Sequence, residues 1–263
     1  MHDQRHDHDY DSDYYARIRA NLTWWQRFGL MRNPSQGVVA TVEPREGERI
    51  LDLGCGDGRI SSRLAQAGAA VDAWDISEDG IALARSSYPI PSLGFYVRDM
   101  LSLDVAETYD ACLCQAVLEH LSREQVTAVL AHIKRALKPG GRVIVGIPLH
   151  DTRPERRWVR ERLLGTIGDH THLVEWSANR MLQEIRKVGL NLTSIKLTTF
   201  GGVLLPGWVR HLDFLEKMIG VWLTVRAAKP QAQLQTPLGG CPLRTIGSFD
   251  RNAIARERKG RPV

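Results

Sequence analysis

A strand that runs directly into a glycine-rich turn constrains the fold of this chain more than any other feature. The segment reads Leu51-Asp52-Leu53-Gly54-Cys55-Gly56-Asp57-Gly58, and a helical pattern begins at Arg59. Glycine has no Cβ atom, so Gly54, Gly56 and Gly58 let the backbone turn tightly and approach a ligand closely. A dinucleotide site would show G-x-G-x-x-G, whereas the spacing here is G-x-G-x-G. The segment therefore predicts a turn that binds a ligand without a pyrophosphate.

Strands and helices alternate on both sides of this turn. Apolar runs predict strands at 49–53, 70–74, 93–97, 110–114, 142–147, 192–199 and 221–227. Helical patterns occupy 34–42, 59–67, 78–86, 123–137 and 177–188, the last with Ser177 as its N-cap and Gly189 as its stop. Most of the strands are apolar enough to be buried on both faces. We expect a doubly wound α/β fold: a mostly parallel, Rossmann-like sheet of seven strands with N-terminal helices and an insertion near the C-terminus.

The 263 residues leave room for one large domain with additions. We expect a disordered start at 1–13, a helical cap at 14–45, the main domain at 46–229 and a flexible tail at 230–263. The polar start holds three histidines, so metal binding is the alternative to disorder there. The tail holds six basic and two acidic residues, a net charge of +4. Such a tail can bind nucleic acid, but a solvated, poorly ordered end is the favoured interpretation.

The D-L-G-C-G-D-G segment resembles the first motif of class I S-adenosylmethionine-dependent methyltransferases, and the resemblance extends in register over 49–147. It implies S-adenosyl-L-methionine as the cofactor. The turn residues that would contact the cofactor are Asp52, Gly54, Cys55, Gly56 and Gly58.

The later strand ends carry the rest of the implied cofactor site. Asp75 matches the carboxylate that holds both ribose hydroxyls in such enzymes, and Ile76 would flank the adenine. Asp99 matches the acceptor for the adenine amino group, with Met100 beside it. Gln115 would lie beside the methionine part of the cofactor.

The segment after the fourth predicted strand bears on the class of acceptor. Enzymes that methylate exocyclic amines usually carry Asn/Asp-Pro-Pro-Tyr/Phe there, and this chain has Cys114-Gln115-Ala116-Val117. Cys114 has no adjacent proline and lies in an apolar strand, so we expect a core residue and not a nucleophile. The pattern resembles small-molecule O-, N- or C-methyltransferases of quinone and natural-product pathways.

Three histidines are candidate general bases, because histidine titrates near neutrality. His170 and His172 lie in Thr171-His172-Leu173-Val174-Glu175-Trp176-Ser177 and the residues just before it, which resembles the segment that lines the acceptor pocket in such enzymes. A role in holding that loop together is the alternative, with His172 slightly favoured as a pocket residue. His120 follows Glu119, and the favoured interpretation of that pair is that it caps or buttresses the next helix.

Two further patterns bear on a metal site and on a lid. Some relatives bind a divalent cation through Glu-x-x-Glu-His, but the first position here is Ala116, so we expect no metal. Tyr14, Tyr15, Trp24 and Trp25 lie on the N-terminal helical pattern. They could form a lid over the cofactor, although aromatic residues at helical spacing more often pack in a core.

The implied activity is methyl transfer to a small-molecule acceptor. An RNA or protein methyltransferase is one alternative, and a non-catalytic S-adenosylmethionine-binding protein is another. We expect no nucleic-acid partner and no membrane span, since apolar runs are shorter than eighteen residues. A homodimer is left open. Four cysteines without a disulfide-framework spacing or a signal peptide predict a cytoplasmic location.

Overall fold

The computed structural model describes residues 13–15, 34–149, 174, 176–199, 204–205 and 221–231. These residues all belong to one compact unit of the chain, Met1–Gln231. The predicted basic tail, residues 150–173 and most of the predicted N-terminal helix and of the late insertion lie outside the described residues.

The described residues form eight strands and five complete α-helices, and residues 13–15 are helical as well. The strands are β1 Arg49–Leu53, β2 Ala70–Asp75, β3 Leu93–Val97, β4 Tyr109–Gln115, β5 Leu137–Leu149, β6 Asn191–Thr199, β7 Leu204–Leu205 and β8 Val221–Ala228. The helices are α1 Pro34–Val42, α2 Arg59–Gln66, α3 Glu78–Ser87, α4 Arg123–Ala136 and α5 Ala178–Lys187. Two 3₁₀ turns lie at Met100–Ser102 and Leu118–His120.

All eight strands belong to one sheet, in the order β3-β2-β1-β4-β5-β8-β6-β7. The five strands from β3 to β5 pair in parallel. Strand β8 is antiparallel to both β5 and β6, and β7 is antiparallel to β6. The chain adds β2 and β3 on one side of β1 and then crosses to place β4 on the other. In open α/β sheets, ligands bind at such a reversal, beside the carboxyl ends of the strands.

Helices cover both faces of the sheet, as the sequence predicts. Ile50 and Leu51 are neighbours in β1, both are fully buried, and they belong to separate apolar clusters. Ile50 packs in the cluster that contains Leu64 of α2 and Ile81 of α3, whereas Leu51 packs in the cluster of α4 and α5. Burial on both faces explains the continuous apolar runs of the central strands.

Serine caps place the helices at the carboxyl edge of the sheet. Ser77 caps α3 and accepts from the Gly80 N–H at 3.0 Å. Ser122 begins α4 in a capping box with Gln125. Ser177 caps α5, and Gly189 follows that helix with a φ of +76°, so the predicted start and stop of α5 are both confirmed.

Arg142 ties α1 to the opposite edge of the sheet. Its guanidinium is almost fully buried, donates to the Val42 carbonyl at 2.9 Å, and pairs with Glu48 at 2.6 Å. The pairing lowers the pKa of Glu48. Because Val42 ends α1, the arginine satisfies a helix-terminal carbonyl that would otherwise lack a partner.

The predicted doubly wound sheet is confirmed, and its strands agree with the predicted ones within two residues except at β5. That strand begins at Leu137, and not at residue 142, because Leu137 already pairs with Tyr109 before a bulge. It continues to Leu149, which pairs with Val221 of β8. The predicted count of seven strands misses β7, two residues within the late insertion. No helix in the described part of the chain has the length and apolarity to cross a membrane.

Candidate functional site

The glycine turn lies at the carboxyl end of β1, where the strand order reverses. Gly54 and Gly58 have φ values of +73° and +75°, a region that favours glycine. A Cβ at Gly54 would overlap the side chain of Val117 from the turn after β4, and one at Gly58 would lie 2.6 Å from the Phe95 ring. The Gly54 N–H donates to the Trp74 carbonyl at 2.7 Å, which binds the turn to β2. Both glycines are therefore required by conformation and by space.

Asp75 ends β2 beside this turn, and backbone amides hold its carboxylate. One oxygen accepts from the Gly56 N–H at 2.7 Å and the other from the Ser77 N–H at 2.9 Å. Burial raises the pKa of Asp75, and these backbone hydrogen bonds act in the opposite direction. Each carboxylate oxygen has a second lone pair. The carboxylate is thus fixed in orientation and can accept further hydrogen bonds, such as those of a diol.

A second carboxyl group lies under the turn. Asp52 of β1 is buried and accepts a hydrogen bond from the Ser61 hydroxyl of α2 at 2.6 Å. Burial raises the pKa of Asp52 to about 7, and the charge of Asp75 acts in the same direction. The Cys55 thiol, which is only partly exposed, has a raised pKa because of burial and of the two nearby carboxylates. Cys55 is therefore a thiol at neutral pH and unsuited to be a nucleophile.

The predicted adenine residues meet at the ends of β2 and β3. Ile76 is one of the most exposed large apolar side chains described, at 38%. The Arg98 N–H donates to the Asp75 carbonyl at 2.8 Å, which places Asp99 next to the end of β2. Asp99 caps the 3₁₀ turn at Met100–Ser102, accepting from the Leu101 N–H at 2.8 Å. The arrangement offers an exposed apolar surface beside a fixed carboxylate.

Gln115 ends β4 on the other side of the reversal point. Its Oε1 atom is buried against Gly146 and has no hydrogen-bond partner among the described residues. Ala116 follows with a φ of +58°, and its N–H donates to the Gly146 carbonyl at 2.8 Å. An orphaned buried acceptor costs about 1–3 kcal/mol, so it suits a site where a ligand brings a donor.

The turn after β4 also contacts the segment that leads into α5. Glu119 is 2% exposed, and its carbonyl accepts from the Val174 N–H at 3.4 Å. Trp176 is 1% exposed, and no hydrogen-bond partner for its Nε1 is found in the described ranges. Ser122, and not Glu119 or His120, is the N-cap of α4, so the capping part of that prediction is wrong. Buttressing of the helix by the pair stays a prediction. His170 and His172 lie outside the described residues.

The structure brings the predicted cofactor residues together along one edge of the sheet. Cys114 is fully buried, which confirms it as a core residue. Among the described residues, no group of three His, Cys, Asp or Glu side chains is placed to hold a metal ion. Ser61, the donor to Asp52, was not predicted, although its position in the first turn of α2 was a signal. Gly80 was not predicted either, because its role depends on a contact with Tyr15 from far along the chain.

Comparison with known proteins points to methyltransferases. Residues 50–141 match the family model described as "Methyltransferase domain". A ubiquinone biosynthesis O-methyltransferase of Xanthomonas axonopodis pv. citri is 33% identical over 150 residues, which cover 52% of this chain and 60% of the relative. One of Paramagnetospirillum magneticum is 33% identical over 144 residues, covering 52% of this chain and 55% of the relative. The chain thus spans little more than half the length of these relatives.

Solved structures show the same fold. A putative methyltransferase in complex with the Haloferax volcanii Trm112 methyltransferase activator has a TM-score of 0.60 at 19% identity, covering 84% of this chain and 97% of that one. The [4+2]-cyclase SpnF has a TM-score of 0.58 at 19% identity, covering 75% and 81%. The resemblance to methyltransferases is thus confirmed for residues 50–141 by the family match, and the solved structures confirm the fold.

Proposed function

We propose that this protein is an S-adenosylmethionine-dependent methyltransferase that acts on a small-molecule acceptor. The observation that carries the proposal is the Asp75 carboxylate, held by the Gly56 and Ser77 amides at the point where the strand order reverses. A ligand with a vicinal diol and no phosphate fits this arrangement. The match of residues 50–141 to the methyltransferase-domain family supports the same assignment.

The cofactor fits the residues on both sides of the reversal. Asp75 would accept hydrogen bonds from the ribose hydroxyls, and Ile76 and Met100 would pack against the adenine. Asp99 would accept from the adenine amino group. The ammonium group of the methionine part would donate a hydrogen bond to the buried Oε1 of Gln115, which otherwise has no partner among the described residues. The cofactor supplies a methyl group on a sulfonium, already activated for in-line displacement.

The remaining task of the protein is to align the acceptor and exclude water. The Val174 amide binds the segment before α5 to the turn around Glu119, and we propose that this side of the site faces the acceptor. A base is needed only where the acceptor atom must lose a proton. His172, His170 and His120 remain the proposed candidates for it.

A hydroxyl group on a quinone-like or phenolic acceptor is the class that the relatives favour. Both relatives described above are named ubiquinone biosynthesis O-methyltransferases. Nitrogen and carbon acceptors remain the alternatives, because methyl transfer needs no residue that is specific to one atom. Free thiols at Cys55, Cys112 and Cys114 suit a reducing compartment, and we propose a cytoplasmic location.

Two other functions make different predictions. An RNA or protein methyltransferase would bind nucleic acid or peptide through the basic tail in a salt-sensitive way. A protein that binds the cofactor without methyl transfer would bind S-adenosylhomocysteine and turn over no acceptor. The fold itself does not separate these possibilities, since a structure named as a [4+2]-cyclase shares it.

Calorimetry with S-adenosylhomocysteine tests the cofactor site. We expect binding by the unmodified protein and at least about 10-fold weaker binding by Asp75→Asn, which loses a charged acceptor. Asp72→Asn is the matched control, because Asp72 lies on the same strand but pairs with Arg49 and Tyr109. No binding by the unmodified protein, or equal binding by Asp75→Asn, would overturn the proposal. Labelled-methyl transfer to hydroxylated aromatic compounds, with RNA and peptides in parallel, then identifies the acceptor class.

A further inference from the structure

Tyr15 lies against the candidate cofactor site, although it comes from outside the part that matches the methyltransferase family. Its side chain is 5% exposed. Its hydroxyl is hydrogen-bonded with the side chain of Ser77, the N-cap of α3. It also lies close enough to Asp75 for the carboxylate charge to raise the pKa of Tyr15. The Tyr14 ring packs on it edge-to-face at 5.3 Å. The phenol ring is therefore buried at the end of β2 that the ribose would occupy.

Two glycines make the space for this ring. A Cβ at Gly56 would lie 3.3 Å from the Tyr15 Cε1 atom, and a Cβ at Gly80 would lie 2.7 Å from its hydroxyl oxygen. Gly80 belongs to the first turn of α3, where glycine costs up to about 1 kcal/mol relative to alanine. Contact with Tyr15 gives a physical reason for a glycine in that helix. The turn and the helix thus both accommodate the same aromatic side chain.

The hydroxyl of Tyr15 is available as a donor at neutral pH. Burial raises the pKa of Tyr15, and the negative charge of Asp75 raises it further, so the phenol keeps its proton. The hydrogen bond with the Ser77 side chain acts in the opposite direction.

We propose that Tyr15 is a cofactor-contacting residue that closes the ribose side of the site. Its ring covers Gly56 and shields the Asp75 carboxylate from water, and its hydroxyl hydrogen-bonds the ribose that Asp75 holds. This inference rests on the proposed function and adds a residue from beyond the segment 50–141 to the cofactor site. A buried carboxylate interacts more strongly with a diol when water is excluded.

Calorimetry with S-adenosylhomocysteine and with 5′-methylthioadenosine tests this role in the full chain. We expect Tyr15→Ala to weaken the binding of both ligands by about 10-fold, which corresponds to about 1.4 kcal/mol. Tyr15→Phe keeps the ring and should weaken both by about 3-fold, as expected for one neutral hydrogen bond. Gly80→Ala displaces the ring without changing Tyr15 and should also weaken both.

Controls separate this inference from general damage and from the proposed function. Tyr88 packs at the far end of α3, and Tyr88→Ala should bind both ligands as the unmodified protein does. Thermal unfolding without ligand verifies that each variant is folded. If Tyr15→Ala does not fold, Tyr15→Phe still tests the inference. No binding by the unmodified protein contradicts the proposed function. Normal or tighter binding by folded Tyr15 variants contradicts only this inference. Weaker binding of S-adenosylhomocysteine alone would also contradict it, because Tyr15 would then contact the methionine part and not the ribose.

Discussion

Two turns meet at the carboxyl edge of the sheet, and both contain a left-handed residue. The turn after β1 uses Gly54, with a φ of +73°, and the turn after β4 uses Ala116, with a φ of +58°. The two touch, because the side chain of Val117 fills the space in which a Cβ of Gly54 would lie. Glycine adopts this conformation without steric cost, whereas alanine does so at a cost of about 1 kcal/mol.

The difference reflects what each turn presents to a ligand. The turn after β1 presents backbone: its Gly56 amide fixes Asp75, and the absence of side chains lets a ligand approach. The turn after β4 presents side chains, among them the orphaned amide oxygen of Gln115. Backbone recognition depends on conformation and so requires glycine at set positions. Recognition by side chains depends on the residue types in the turn, so these residues can differ between enzymes with different acceptors.

Replacing Gly54 by alanine should have the largest effect of the changes that test this comparison. The new Cβ would be strained at this φ and would overlap Val117. We expect a loss of about 2–4 kcal/mol in the free energy of unfolding. Chemical denaturation measures it, and calorimetry should show that S-adenosylhomocysteine binding is lost as well.

A control variant and a double variant separate the two causes of this loss, the strained φ of residue 54 and the overlap with Val117. Gly37 lies in α1, and a methyl group added there would meet nothing within 4 Å, so Gly37→Ala should be neutral or slightly stabilising. Combining Gly54→Ala with Val117→Ala removes the overlap with the two Cγ atoms but not the strain, and should restore only part of the stability. Full recovery in the double variant would mean that the left-handed conformation is unimportant.

Asp52 provides a smaller test on the same side of the site, through pH. The pKa of Asp52 is about 7 in the folded protein, against an ordinary value of 3.8. The folded state therefore binds more protons than the unfolded state between these values. Its contribution to stability is present in full below about pH 3.8 and is lost as the pH rises towards 7.

Asp52→Asn should remove this pH dependence. The variant keeps an acceptor for the Ser61 hydroxyl but carries no charge, so we expect it to be more stable than the unmodified protein by roughly 2 kcal/mol at pH 8. The difference between the two unfolding free energies should shrink as the pH falls from about 8 to about 5. Parallel pH profiles would show that Asp52 does not titrate in this range. Asp75, which also has a raised pKa, is unchanged in both proteins.

The same contrast explains what could be predicted from the sequence. The glycine turn, Asp75 and the cap at Ser177 are local features, and local features can be recognised from residue type and spacing. The direction of pairing of β8 and the contact of Tyr15 with Gly80 depend on residues far apart in the chain, and no local pattern encodes them. The early start of β5 was missed because its Pro-Gly-Gly sequence is typical of a turn, while pairing with β4 extends the strand.

Ala116 offers the smallest and most direct test of the comparison. Glycine at 116 would remove the steric cost of the left-handed conformation, which is about 1 kcal/mol. It would also give the unfolded chain more conformational entropy, which lowers the free energy of unfolding by about 0.5–1 kcal/mol. We therefore expect Ala116→Gly to change the free energy of unfolding by less than about 0.5 kcal/mol in urea denaturation. Ala84→Gly, in the regular helix α3, has no strain to relieve and should lose about 1 kcal/mol or more. Equal losses at the two positions would mean that Ala116 is not strained, and the two turns would then differ in their side chains alone.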